Sequence, residues 1–134
     1  MNAHELGFTS FLAEPSRGRI HTLLELGEKR RKDACALLDH AVHLDSRQAQ
    51  HLKGSLSLPL AVEQSLRNRG APDLCYVISA NADWDGLEMP VRDSLQAIIG
   101  SGHGSFVSCI PGVLGFFEYE DANSAYLLSR QETG

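Results

Sequence analysis

The chain has 134 residues, one domain's worth, and its 43% hydrophobic against 22% charged residues supplies enough apolar material to fold around one core without a metal or disulfide staple. That balance excludes a disordered, a collagen-like or a disulfide-scaffold protein. The longest apolar runs, such as residues 74–78, are a handful of residues, far short of the ~20 that a membrane helix requires.

The first residues, Met1-Asn2-Ala3-His4-Glu5-Leu6, have neither the basic stretch nor the apolar region of a secretory signal. The three cysteines, Cys35, Cys75 and Cys109, are odd in number, far apart and lack a C-x-x-C pair. Both features lead to the expectation of a reduced, cytoplasmic protein. The formal charge of −5 is unevenly spread: residues 1–70 carry ten Lys and Arg against eight Asp and Glu, whereas residues 71–134 carry two against nine. A half this acidic repels phosphate backbones and attracts basic partners, so no nucleic acid and no membrane is expected as a partner.

In chain order, the apolar positions Ile20, Leu23, Leu24, Ala34, Leu37, Leu38, Ala41 and Val42 recur at spacings of three and four, which predicts amphipathic helix over 20–42 with Ser16 as its N-cap. Gly27 leaves open whether this is one helix or two, and the basic run 29–32, flanked by Glu28 and Asp33, reads as a solvated face. Asp45 with Gln48 three residues on is a capping-box arrangement and predicts a short helix ending near Gly54. Pro59 opens the next helix, in which Val62 and Leu66 share a face, and Gly70 with Pro72 closes it.

From residue 72 the pattern turns to strands. Residues 74–79 form a continuous apolar run rich in Tyr, Val and Ile, as expected of a strand buried on both faces. A polar loop over 81–89 follows, then a helix from Pro90 with Leu95, Ile98 and Ile99 as its stripe, then a strand over 106–110. That strand, helix, strand unit is long enough for a crossover between parallel neighbours. Pro111-Gly112 suits a type II turn, and strands over 113–120 and 125–129 complete the chain, with a turn at 121–124 between them. The fold expected is therefore α+β: one domain over 1–134, with helices in 16–70 packed on a small mixed sheet of about four strands in 72–130, in β-α-β-β-β order.

Several constellations could carry chemistry. Asn81-Ala82-Asp83-Trp84-Asp85-Gly86 places oxygen-bearing side chains at alternate positions before a glycine and resembles the opening of a calcium-binding EF-hand loop, which would imply Asn81, Asp83 and Asp85 as ligands. The bidentate Glu of that pattern is replaced here by Arg92, and the flanking elements are strand and helix. Otherwise Asp83, Asp85 and Glu88 solvate the loop and face the positive end of the Pro90 helix. No cofactor is expected. His40 and His43, with His51 further on, give an H-x-x-H spacing that could ligate zinc, without the glutamate of a zincin. The glycine-rich stretch 100–105 leaves a helix and enters a strand, the reverse of a phosphate loop, so its glycines read as a helix stop and a tight turn.

His103 and Cys109, with Glu118 to orient the imidazole, would form a thiol nucleophile and base if the cysteine were exposed and acidified. Trp84, the only tryptophan, lies between two aspartates after a strand's carboxyl end, where it is either an interface anchor or a lid folded onto the sheet. Alternation along the strand over 113–120 puts Phe116, Glu118 and Glu120 on one face, opposite Phe117 and Tyr119. An exposed Phe116 beside Glu118 and Glu120 would extend the acidic, aromatic surface of Asp83, Trp84, Asp85 and Glu88. The leading expectation is a small non-catalytic protein-binding module of inhibitor, immunity or adaptor type, engaging a protein with a basic surface. The alternative is a small enzyme or ligand-binding domain using Cys109 and His103. Sheet edges or the N-terminal helix also leave a homodimer open.

Overall fold

The computed structural model describes residues 1–39, 42–121 and 124–130. Helix α1 (Ala3–Ser10) opens the chain and is capped at both ends of its first turn: the Asn2 side chain accepts from the Glu5 amide at 2.8 Å, and the Glu5 carboxylate accepts from the Asn2 amide at 2.9 Å. Helices α2 (Ser16–Glu25) and α3 (Glu28–Leu37) follow as two elements, because Gly27 takes φ +84°, a left-handed angle that stops the first helix before the second begins. Ser16 is the first residue of α2, after Pro15, and its hydroxyl accepts from the His43 amide at 2.9 Å. It ties the chain beyond α3 back to α2 and does not cap the helix.

Asp45 and Gln48 form a turn, with the Gln48 amide donating to the Asp45 carbonyl at 3.0 Å, and this turn enters strand β1 (Ala49–Leu52) where a helix was expected. The capping-box spacing is present, but no apolar 3.6-residue stripe follows it to give a helix a buried face. A 3-10 turn (Gly54–Ser57) leads into α4 (Pro59–Asn68), then β2 (Leu74–Ser79), β3 (Glu88–Pro90), α5 (Val91–Ile98), β4 (Ser105–Ile110), β5 (Leu114–Glu118) and β6 (Ala125–Ser129).

These strands form one six-stranded sheet in the order β1-β6-β5-β4-β2-β3, and every neighbouring pair is antiparallel. The expected class, α+β, holds; the expected mixed sheet of about four strands becomes an antiparallel one of six. The reason lies in β3. This three-residue strand, which lies within the stretch expected to be polar loop and at Pro90, runs back along β2, so α5 starts from the far end of the sheet and returns. The chain therefore enters β4 from the end at which β2 finished, and β4 pairs with β2 antiparallel. The two edge strands are four and three residues long, and β3 ends in proline. Both are devices that blunt edge-to-edge pairing, which weakens the case for a homodimer through a sheet edge.

Helices cover both faces of the sheet. On one face Phe8, Phe11, Ile20, Leu24 and Leu38 pack on Ile78, Phe106, Phe117 and Leu128, with the Phe8 and Phe106 rings stacked at 4.4 Å. On the other, Val62, Leu66, Val91, Leu95 and Ile98 from α4 and α5 pack on Cys75, Val77, Val107, Cys109, Leu114, Phe116 and Leu127. Each of these large side chains contributes roughly 1.5–3 kcal/mol by leaving water. Phe116 is completely buried in the second core, so the expected exposed aromatic on β5 does not exist. Alternation correctly put Phe116 and Phe117 on opposite faces; both faces, however, are interior.

Candidate partner-binding surface

The strand registers define which loops meet. Ser79 pairs with Ser105, Ser105 with Glu118, and Glu118 and Leu52 both with Ala125. One end of the sheet therefore carries the segments that follow β1, follow β2, precede β4 and follow β5. The Asn81–Gly86 stretch, His103, Glu120 and the 53–60 segment all leave the sheet at this end.

The loop after β2 is tightly built. The amides of Trp84 and Asp85 donate to the Asn81 carbonyl, each at 3.1 Å, and the Asn81 side-chain oxygen accepts from the Asp83 amide at 2.9 Å. Gly86 donates to the Val77 carbonyl at 2.8 Å with φ +78°, closing the loop back on its own strand. Asp85 anchors it from beneath. Its carboxylate takes two hydrogen bonds from Arg31 of α3, at 2.7 and 3.1 Å, and a third from the Ser79 amide at 3.1 Å. Arg31 also pairs with Glu5 of α1 and donates to the Tyr76 hydroxyl at 3.0 Å, and that hydroxyl donates to Glu5 at 3.1 Å. One guanidinium thus joins α1, α3, β2 and the loop. The hydrogen bonds that Arg31 donates to Asp85 push its guanidinium above its ordinary value and keep it charged, while burial alone would push the Glu5 carboxyl up and is outweighed by the Asn2 amide and Arg31, which leave it below the usual range.

Asp83, Glu88 and Glu120 are exposed. Trp84 is half-buried against the α4 and α5 core, and its ring meets His103 edge-on at 6.2 Å. Gly102, beside His103, lies against the Glu120 backbone: a Cβ there would stand 3.9 Å from the Glu120 carbonyl oxygen. Trp84, His103 and Glu120 therefore share one locality. Glu118 is buried and faces inward on the same side as Phe116.

Burial pushes the Glu118 carboxyl from its ordinary 4.5 up to about 7, opposed in part by the hydrogen bond it accepts from the Gly100 amide at 2.9 Å. Because the folded state holds this proton more tightly than the unfolded state does, stability falls as pH rises from 4.5 to about 7. Glu118→Gln retains an acceptor for Gly100 and removes the charge. The expected result is a gain of up to about 3 kcal/mol at about pH 8 and no difference at about pH 4, read by urea denaturation.

The other constellations are not assembled. Cys109 is buried in the α4 and α5 core, where burial pushes its thiol up to about 12, and His103 lies six residues away beyond the opposite end of β4, roughly 20 Å along the strand. Glu118 bonds Gly100, not His103. No thiolate, base and orienting acid come together, and the same burial leaves Cys75 and Cys35 as weakly acidic thiols at about 11 and about 12. In the calcium-like stretch, the cation facing Asp85 is Arg31, and Asn81 is turned into its own loop, so Asn81, Asp83 and Asp85 do not converge. Among the described residues no three His, Cys, Asp or Glu side chains gather as a metal would need. His40 of the H-x-x-H spacing lies outside the described residues. Arg31, within the run read as solvated, is instead the clamp of the loop.

Three further residues at this end escaped the sequence reading. Leu56, Leu58 and Leu60 are 57%, 57% and 69% exposed, on the 3-10 turn and the outer side of the first turn of α4. Their signal was the alternation Leu-Ser-Leu-Pro-Leu over 56–60, which matches neither a buried helix stripe nor a strand of the sheet. Comparison with family models, with curated proteins and with solved structures finds no match to the chain.

Proposed function

We propose that this chain is a non-catalytic protein-binding module, of inhibitor, immunity or adaptor type, and that its docking surface is the sheet end bearing Trp84. The observation that carries this reading is the company of exposed Leu56, Leu58 and Leu60 with exposed Asp83 and Glu120 at that end. Solvated leucines at the same end of the sheet as a half-buried tryptophan offer apolar surface that a partner can dry, and a rim of acids selects a partner with a basic face. The rim is smaller than the sequence suggested. Of the acids in the second half, Glu118 is buried, Asp85 is held by Arg31 and Asp73 pairs with Arg67; among the exposed acids that remain, Asp83, Glu88 and Glu120 are assigned as the steering charges. A cytoplasmic setting belongs to the same proposal and is supported by three free, buried cysteines. Among the described residues no helix is long and apolar enough to cross a membrane.

The experiment is capture from native lysate by the tagged full chain at low and high salt, followed by association kinetics with the protein captured. The variant D83N/E88Q/E120Q is expected to slow association about tenfold at low salt and to flatten its salt dependence, and Leu58→Ser to speed dissociation. A partner whose kinetics neither variant alters would refute this surface.

A further inference from the structure

The opposite end of the sheet has the reverse character. There, beside α1 and the entry to β1, lies a groove of about 620 Å³ whose polar lining includes Arg17, Arg47, Gln48, Asp45 and Arg130. A second, smaller hollow of about 130 Å³ shares Arg47 and Gln48 in its lining and adds Arg69. Among the described residues, four guanidinium groups therefore line these two adjoining hollows, against a single carboxylate.

That carboxylate is fully engaged. Asp45 is buried, one of its oxygens accepts from the Arg47 amide and side chain at 3.0 and 3.1 Å, and the other from Arg47 and Gln48 at 3.0 and 3.2 Å. These bonds hold its carboxyl well below the usual range, the Arg47 side chain contributing most, so it stays charged and cancels one cation only. It also orients Arg47, whose side chain remains 85% exposed. Arg17 is oriented by a hydrogen bond from its Nε to the Leu12 carbonyl at 2.9 Å, which leaves its two terminal amino groups for another acceptor. Arg69 bonds only neutral groups, the Ser129 hydroxyl at 3.3 Å and the Gln50 side chain at 3.5 Å. Like charges gathered in a concavity repel one another until an anion enters, and planar guanidinium groups match the oxygens of a phosphate two at a time.

We propose that this groove binds a small phosphate ester. Its volume lies in the range of small-molecule sites, and Leu6 and Thr9 line the same depression, giving the organic part of such a ligand an apolar wall. Arg17, the exposed Arg130 and the one terminal amino group of Arg47 not taken by Asp45 hold the phosphate, with Arg69 extending the positive field. A long polyanion is disfavoured by the acidic rim at the other end of the molecule. This site is separate from the proposed docking surface, and the two stand or fall independently.

The test is an NMR titration of the full chain with phenyl phosphate, with inorganic phosphate and with a single-stranded oligonucleotide. Phenyl phosphate is expected to shift amides around residues 6–10, 45–48 and 130, to bind more tightly than inorganic phosphate, and to lose about tenfold in affinity in Arg130→Gln, as expected for one charged hydrogen bond. Arg47→Gln is expected to lose at least as much, and because it also strips Asp45, the exposed Arg130→Gln keeps the test clean if the first variant unfolds. No shifts at millimolar phenyl phosphate, or equal binding by Arg130→Gln, would overturn the proposal. Tighter binding of the oligonucleotide through the same amides would overturn it in favour of a nucleic-acid site.

Discussion

Arg31→Met is expected to lower the unfolding free energy by about 3 kcal/mol and to release the 81–86 loop. The size follows from what the change leaves behind. Glu5 and Asp85 keep only 8% and 16% of their side-chain surface in water, and each now faces a methyl group where a guanidinium stood. A buried carboxylate stripped of its partner costs more than the pair contributed, because its desolvation is no longer offset. Asp85→Asn is expected to cost less, since the Ser79 amide retains an oxygen to donate to. The pH dependence carries a signature of its own. With the Glu5 carboxyl held below its ordinary value, the native protein gains stability above that value and loses it as pH falls through the depressed folded one. Arg31→Met removes the salt-bridge part of that acid dependence while leaving the opposite slope from Glu118 in place. Urea titrations across pH check the first effect, and amide exchange at residues 83–86 checks the second. Unchanged exchange in this loop would mean that its internal hydrogen bonds suffice without the clamp.

Gly104→Ala is expected to be the most damaging single methyl addition near the candidate surface, at about 3 kcal/mol or more. A Cβ at residue 104 would lie 2.0 Å from the Leu38 carbonyl oxygen and 2.9 Å from the Asp39 amide nitrogen, so it meets backbone, which cannot swing aside. The close approach has a purpose: the Gly104 amide donates to the Asp39 side chain at 2.7 Å, fastening the end of α3 to the start of β4. Since Arg31 also sits on α3, a shift there reaches the 81–86 loop from a second direction. Thermal unfolding gives the magnitude. A variant as stable as the parent would show that the α3 end can retreat at little cost.

Much of the fold could be read along the chain because the relevant signals are local. The apolar stripe and proline of α4, the run of β2 and the paired strands β5 and β6 each announced themselves within a few residues. The expectation failed where an element depends on distant partners. Strand β1 is four residues of mixed burial, given its identity by β6, and β3 is three residues that pair only with β2. Missing β3 turned an antiparallel pair into an expected parallel one, since a single extra pass reverses the next strand. Helix α1 did have a local mark, Asn2 with Glu5 three residues on, which forms the capping box.

The site was legible in part. The Trp84 loop emerged from composition, and its neighbours Asp83 and Glu120 are exposed as anticipated. Phe116 could not be placed from alternation alone, because alternation distinguishes two faces without saying whether either meets water. Arg31 was indistinguishable from its basic neighbours until Glu5 and Asp85, 26 residues before and 54 after it, were brought together by the fold. The leucines at 56, 58 and 60 were visible in the sequence, but their exposure follows from the way α4 turns Val62 and Leu66 inward.

The most direct test of the docking surface is photo-crosslinking in native lysate from a photoreactive residue at position 58, compared with one at Val113, which is exposed in the turn at the opposite end of the sheet. The account predicts an adduct of defined mass from position 58 that is absent from position 113 and that weakens in D83N/E88Q/E120Q. Identical adducts from both positions, or none from position 58 while position 113 captures a protein, would contradict it.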